Sequence, residues 1–329
     1  MSLYHLQMDR RSLADTVDAL RALGEPSRLR IVAVLRHGEL TVTDLTEVLG
    51  QSQPRVSRHL RVLLDAGLIT KHREGSWSFF QVIDEATELL ADVLAHVDVD
   101  DAELVHDRAR LDDVRSRRSA AAEEYFEQIA SSWDEERALH ASVQAVEAAI
   151  VAAVGEQPID RLVDLGTGTG RMLQLLGAGT SRALGVDASH SMLSIARANL
   201  DAESLRHCEL RQGDVYRPPL DARAFDVAIV HQVLHYLEEP ERAVAEAARL
   251  LAPGGRLLVV DFAPHRHEFL RDEHAHRRLG FSHEQLSGFA LAAGLADIEL
   301  TDLAPPAGAD GLTVTICVAT AVERLEGAA

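Results

Sequence analysis

The sequence predicts two domains of different class: a mainly α domain ending in a β-hairpin, then an α/β domain on a doubly wound, Rossmann-like parallel sheet. Four short helical periodicities fill the first 66 residues, and two alternating segments follow them. Farther along, short apolar runs alternate with helical stretches, and the first of these runs ends in a glycine-rich turn. A length of 329 residues accommodates both, at roughly 100 to 200 residues per domain. With 47% hydrophobic and 26% charged residues the composition is that of a soluble globular chain, which argues against a disordered or collagen-like one. No apolar stretch approaches the ~18 residues of a membrane span, and Asp9, Arg10, Arg11 and Asp15 occupy the stretch where a signal peptide needs an apolar run. A cytoplasmic chain with no membrane partner is expected. The two cysteines, Cys208 and Cys317, lie far apart, which speaks against a disulfide framework or a thiolate metal site.

The expected boundaries are residues 1–97 for the first domain, 98–118 for a charged connector and 119–329 for the second domain. A net charge of −19 would ordinarily discourage nucleic acid as a partner, but the charge is unevenly spread. Residues 26–75 hold eight Lys/Arg against five Asp/Glu, whereas residues 98–329 hold 22 against 39. One basic island sits on an acidic chain.

Leu13, Val17, Leu20 and Leu23 recur at helical spacing, and Leu29, Val32 and Leu35 resume the period after Gly24 and Pro26. A third helix is expected from about Thr43, capped by its hydroxyl, to Gly50. The fourth runs from Ser52 to Ala66, with Ser52 as its cap, Pro54 in its first turn and Val56, Leu60, Leu63 and Leu64 as its buried stripe. Its other face carries Gln53, Arg55, Ser57, Arg58, His59 and Arg61, donors of the kind that major-groove edges and phosphates accept. The alternating segments of ITKHREGSWSFFQV then predict a hairpin with Lys71, His72 and Arg73 near its tip, a basic wing beside a recognition helix.

LGEPSRLRIVAVL and VSRHLRVLLDAGLITKHREGSWSFFQV resemble the ArsR/SmtB family of winged helix-turn-helix regulators, over roughly residues 8 to 97. That resemblance implies a homodimer on a palindromic double-stranded operator. ELTVTDL departs from the metalloid-sensing members, because Thr41 and Thr43 stand where those place a pair of cysteines, and a hydroxyl is a poor ligand for a soft metal.

Residues 98–118 open with DVDD and close with RSRR, and they read as a solvated connector, helical or flexible. Tyr125, Phe126 and Trp133 beyond it are packing residues or the closure of a ligand site. RLVDLGTGTGRMLQLL then reads as strand, glycine turn and helix, with Gly166, Gly168 and Gly170 allowing a ligand close to the backbone at a helix N-terminus. ALGVD predicts a second strand ending in Asp187, placed to accept both ribose hydroxyls. LRQGDV, FDVAIV and GGRLLVVDF supply three more strands. Asp164 precedes Gly-x-Gly-x-Gly rather than the dinucleotide form Gly-x-Gly-x-x-Gly, which favours adenosine joined to a methyl donor over NAD.

Over about residues 120 to 325 the chain resembles the class I S-adenosylmethionine-dependent methyltransferases, with the acid–glycine turn, GVDAS, QGD and LLAPGGRLLVVDF in family order. By that likeness Asp164 and the three glycines hold the methionine end, Asp187 the ribose, Met192 the ribose or adenine face, and Asp214 with Val215 the adenine. IELTDL and LTVTICVA would form the family's antiparallel hairpin.

HQVLHYLEEP places His231, Gln232, His235 and Tyr236 after the fourth strand. His231, His235 and Tyr236 are candidates for acid–base work and His231 also for the cofactor cleft, with plain packing as the alternative. No Asn/Asp-Pro-Pro-aromatic motif or Pro-Cys pair follows that strand, which disfavours a nucleobase acceptor. The run holding His265, His267, His274, His276 and His283 with Glu268 and Glu273 admits metal ligation, an anionic substrate, a contact with the first domain or a solvated helix, and no metal is assigned to it.

The two patterns together predict a DNA-binding transcriptional regulator of the ArsR type whose methyltransferase-like domain binds S-adenosylmethionine or S-adenosylhomocysteine as effector. The alternative is an active small-molecule methyltransferase with an autoregulatory DNA-binding domain.

Overall fold

The computed structural model describes residues 11–74, 77–117, 143–155, 157–274, 276–305 and 311–322. The chain divides into two compact units, Met1–Arg117 and Arg118–Ala329. Tyr125, Phe126 and Trp133 lie outside the described residues.

In the first unit α1 (Leu13–Leu23), α2 (Pro26–Leu35), α3 (Val42–Leu49) and α4 (Gln53–Asp65) follow in order. Strands β1 (Leu40–Thr41), β2 (Ile69–Glu74) and β3 (Trp77–Val82) form a sheet of order β1-β3-β2, and α5 (Asp84–Leu94) comes next. Ile31, Leu45, Val56, Leu60, Leu63 and Leu90 meet in one core. On α1 the buried residues are Ala19, Ala22 and Leu23, while Leu13 and Leu20 stay exposed, so half of the apolar stripe expected there faces outward.

Two caps differ from expectation. Thr41, not Thr43, caps α3, because Asp44 three positions on returns the bond: Thr41 Oγ accepts from Asp44 N at 3.1 Å, and Asp44 accepts from Thr41 N at 2.7 Å. Ser52 occupies the cap position of α4 by its backbone, but its side chain makes no capping hydrogen bond. Gly50, at φ 63°, ends α3 in the left-handed conformation that a side chain would resist.

Most of the expected connector, read as helical or flexible, is a helix of the first unit with one face buried. Residues 102–117 form α6, with Leu111 and Val114 in the core. Asp107, 1% exposed, takes a bidentate grip on Arg30 at 2.6 Å for both contacts, and Arg30 also donates to Leu49 O at 3.0 Å. Arg110 donates to the neighbouring Val48 O at 3.1 Å. What the charge-rich sequence did not show is the buried face of this helix.

In the second unit α7 (Val143–Val154) precedes β4 (Arg161–Leu165), α8 (Arg171–Leu176), β5 (Arg182–Asp187), α9 (His190–Ala202) and β6 (Cys208–Gln212). Then come β7 (Phe225–His231), α10 (Pro240–Leu250), β8 (Leu251–Phe262), α11 (Phe269–Glu273) and α12 (His283–Ala292). Strands β9 (Leu295–Leu303) and β10 (Val314–Ala321) close the sheet, whose order is β6-β5-β4-β7-β8-β10-β9. Strands β6 through β8 run parallel, and β10 pairs antiparallel with both β8 and β9. Two apolar cores hold the helices to this sheet. The order reverses direction at β4, so the loops after β4 and β7 open a crevice at the carboxyl ends of the strands.

Candidate functional site

On α4, Val56, Leu60 and Leu63 are buried, and this turns Gln53, Arg55, Ser57, Arg58 and Arg61 to solvent. His59 is drawn aside to Glu25 at 3.5 Å, and its side chain is mostly covered. Burial and the flanking arginines lower the His59 pKa, against the pull of Glu25. The wing divides in the same way. Lys71 and Arg73 are exposed, whereas His72 points to the other side of β2, 3.4 Å from Glu39 and stacked on Phe79 at 5.4 Å. Of the ten residues expected at the DNA surface, His59 and His72 are therefore engaged inside the domain.

In the second unit the glycine turn after β4 holds Gly166, Gly168 and Gly170 at φ 77°, 53° and 82°, conformations that glycine adopts without strain. A Cβ on Gly166 would come within 2.3 Å of Val233 Cγ2, whereas one on Gly168 would meet nothing within 4 Å. The turn is tied from below and from the side. Thr167 donates its hydroxyl to Asp164 at 2.6 Å, and Gly168 N donates to Asp187 Oδ2 at 2.8 Å. Asp187 Oδ1 accepts from Ser189 N at 2.7 Å, and Asn199 donates to Thr169 O at 2.8 Å. Burial, together with the nearby charge of Asp187, pushes the Asp164 carboxyl up to about 7 against the Thr167 hydrogen bond.

These ties frame a cleft of about 630 Å³, within the roughly 300–1,000 Å³ of small-molecule sites. It brings together Gly166, Gly168, Asp187, Met192, His231, His235 and Tyr236. Asp164, Gly170, Asp214 and Val215 do not line it: Asp164 is buried beneath the turn, Gly170 caps α8, Asp214 is exposed and binds Tyr216 N at 2.9 Å, and Val215 joins a core. Arg171, at the rim, is paired with Glu147 at 2.6 and 2.8 Å, which lowers the Glu147 pKa and raises its own.

The carboxylate bonded to His235 was not legible as a site residue in the sequence, nor were the lining residues Glu147, Asn199 and Val314. Asp261, near the end of β8 and 0% exposed, accepts from His235 Nδ1 at 2.8 Å, from Phe262 N at 2.8 Å and from His235 N at 3.3 Å. A carboxylate that only accepts requires a ring hydrogen on Nδ1, and in the neutral imidazole that leaves Nε2 of His235 with a bare lone pair. That atom is buried and has no hydrogen-bond partner among the described residues. Leaving it so costs about 1–3 kcal/mol unless a ligand supplies a donor.

The histidine-rich run packs here. His276 lies 4.2 Å from His235 ring to ring, and the backbone N–H groups of Arg277 and Arg278 donate to His235 O at 3.0 and 3.2 Å. Burial, with the neighbouring His267, His276 and His235, pushes the His265 pKa down to about 4. His283 stands apart on α12, bound to Asp302 at 2.9 Å. Among the described residues no three His, Cys, Asp or Glu side chains converge as a metal-ligand set, and no helix is long and apolar enough to cross a membrane.

Residues 25–71 match the arsR family of bacterial regulatory proteins. The HTH-type transcriptional regulator NmtR of Mycobacterium tuberculosis is 39% identical over 90 residues, 27% of this chain and 75% of that protein. The chain belongs to the arsR family. This arsR-family chain also carries a methyltransferase domain, matched over residues 163–259. There the Demethylmenaquinone methyltransferase of Clavibacter sepedonicus is 27% identical over 150 residues, 45% of this chain and 60% of that enzyme. An uncharacterized 37.1 kDa protein in transposon TN4556 of Streptomyces fradiae is 32% identical over 159 residues, 47% of this chain and 43% of that protein. The chain thus spans less than two thirds of both the transposon protein and the Clavibacter enzyme. A DNA-binding domain of the arsR type is joined to a domain of the class I methyltransferase fold, one that implies binding of an S-adenosylmethionine-type ligand.

Proposed function

We propose that the chain is a transcriptional regulator whose second unit holds S-adenosylmethionine or S-adenosylhomocysteine, and whose occupancy sets its affinity for a double-stranded operator. The observation that carries this reading is the cleft between the glycine turn and Asp187, in a chain whose recognition helix turns three arginines outward. The residues fit the ligand. Gly168 leaves open space against the backbone, and Asp187 keeps lone pairs beyond the two backbone bonds it accepts. Asp187 would take the ribose hydroxyls, Met192 and His231 the nucleoside, and Gly166 and Gly168 the methionine end. Asp164 and Gly170 would shape the turn from behind, while Asp214 and Val215 remain assigned to the adenine. When bound, S-adenosylmethionine supplies an activated methyl group.

In the first unit, α4 would enter the major groove through Arg55, Arg58 and Arg61, aided by Ser52, Gln53 and Ser57, with Lys71 and Arg73 on phosphates. Exposed Leu13 and Leu20 on α1 would be covered in a homodimer, which would suit a palindromic operator, and such a regulator would act in the cytoplasm. Thr41 spends its hydroxyl on the cap of α3, so the place of a thiolate sensor is taken and regulation must come from elsewhere.

The reading is tested by operator titration with saturating S-adenosylmethionine, with saturating S-adenosylhomocysteine and with neither. A shift of about fivefold to 150-fold in operator affinity is expected, and DNA must change ligand affinity by the same factor. Three equal affinities beside robust methyl transfer to a cell extract would sink it in favour of the second reading, a small-molecule methyltransferase. The His235–Asp261 pair favours that reading.

A further expected outcome concerns Asp187→Ala. It removes a ribose acceptor and also frees Gly168 N and Ser189 N, so S-adenosylhomocysteine should bind about tenfold to a hundredfold more weakly by calorimetry. Unchanged affinity would take Asp187 out of the ligand site.

A further inference from the structure

We infer that His235 and Asp261 form a proton-accepting dyad that serves a neutral, largely apolar acceptor carrying a hydroxyl or N–H group. The inference rests on the methyl-donor cleft proposed above and adds its second occupant. Four observations converge on it. His235 lines the same cleft as the glycine turn and Asp187. Its Nδ1 is committed to Asp261 at 2.8 Å, a carboxylate held in turn by two backbone N–H groups, so ring orientation and tautomer are both set. Its Nε2, buried and unpartnered among the described residues, is the one ring atom left for a ligand. The histidine-rich run contributes His276 against the ring and two backbone bonds to the His235 carbonyl, so a segment that the sequence left without a role holds the dyad in place.

The lining selects the chemistry of the acceptor. Val143, Val146, Val314 and Tyr236 give apolar and aromatic surface, and the Arg171 guanidinium of the lining is already bonded twice to Glu147. Among the described lining residues a carboxylate or phosphate acceptor therefore finds no uncommitted guanidinium, whereas a flat phenol or azole finds apolar walls and the His235 ring. The titratable groups around the ring are Asp261 on β8, Tyr236 beside it, and His265 and His276 on the histidine-rich run.

In the reaction this serves, the acceptor's O–H or N–H hydrogen passes to His235 Nε2 as its heteroatom lone pair forms the bond to the methyl carbon. The carbon–sulfur bond of the donor breaks and its electron pair stays on sulfur, giving the neutral thioether. His235 becomes an imidazolium paired with the Asp261 carboxylate, then returns the proton to water. Asp261 is a positioning residue: it touches no substrate and keeps the lone pair on Nε2.

The probe is 4-nitrophenol, whose phenolate has its own absorption band, titrated into the full-length protein with and without saturating S-adenosylhomocysteine. Bound probe should gain phenolate character in the wild type. His235→Gln should abolish the gain, and Asp261→Asn, which lets the ring take the opposite tautomer, should reduce it while keeping the His235 ring and the volume of the side chain. A matching thermal midpoint for Asp261→Asn shows that the loss is not unfolding, and ¹⁵N chemical shifts of the His235 ring should report Nδ1–H in the wild type alone. An equal phenolate gain in wild type and His235→Gln, or no gain in the wild type, overturns the dyad. Failure of S-adenosylhomocysteine to bind, read separately by calorimetry, would instead overturn the methyl-donor cleft, because the phenolate arm is also run without it.

Discussion

Replacing Arg55, Arg58 and Arg61 together with alanine should lower operator affinity by about a hundredfold or more, since a base contact is worth about 1–3 kcal/mol and a phosphate contact adds about one to the salt slope. All three side chains are exposed, and the helix is anchored by Val56, Leu60 and Leu63 on its other face. Arginine and alanine are both good helix formers, so α4 should survive the change. Titrations of the chain's own promoter at several salt concentrations separate the two kinds of contact: arginines on phosphate flatten the slope for every sequence, and those on bases relax preference at particular positions. An unchanged footprint would remove α4 from the DNA surface. His59→Ala should matter less to DNA, because that ring is engaged with Glu25 inside the domain.

Asp107→Ala should destabilise the first unit by about 3–5 kcal/mol, the usual cost of stranding one member of a buried ion pair. Arg30 is 14% exposed and would lose two hydrogen bonds of 2.6 Å, keeping, among the described residues, Leu49 O and the largely exposed Glu103. An arginine guanidinium stays protonated even without Asp107, so its charge must still be accommodated. Denaturant unfolding of the full chain, followed by a probe in the first unit, reads the loss. The double change Arg30→Met, Asp107→Leu should recover much of it, because an apolar pair leaves no buried charge. Equal stability of Asp107→Ala and the wild type would show that α6 is not held by this pair. Weakened operator binding should accompany the loss, because Arg30 of the pair and Arg110 of α6 grip Leu49 O and Val48 O, the last carbonyls before the turn into α4.

The helices of the first unit were legible because their information is local: Gly24, Pro26 and Gly50 punctuate apolar positions three and four residues apart. The choice between Thr41 and Thr43 turned on Asp44, which lies at the reciprocating distance from Thr41 alone. Lys71, His72 and Arg73 are consecutive and read as one basic tip, but a strand sends successive side chains to opposite faces. The strands of the second unit and the glycine turn were legible for the same local reasons, and the strand ends located Asp187.

What the sequence by itself determined was each element and its polarity: a basic face on α4, a glycine turn after β4, an acid at the end of β5. These depend on neighbours within a few positions, where periodicity and backbone preference act. What only the tertiary structure decided was which polar groups are buried and with whom. Arg30 meets Asp107 across 77 positions, and His235 meets Asp261 across 26. Nothing local distinguishes these carboxylates from solvated ones. A buried charge or lone pair is tolerated only where a distant partner satisfies it, and that partner is specified by packing. The charged run of α6 and the apolar end of β8 therefore read as connector and core, until folding set their acids against a guanidinium and an imidazole.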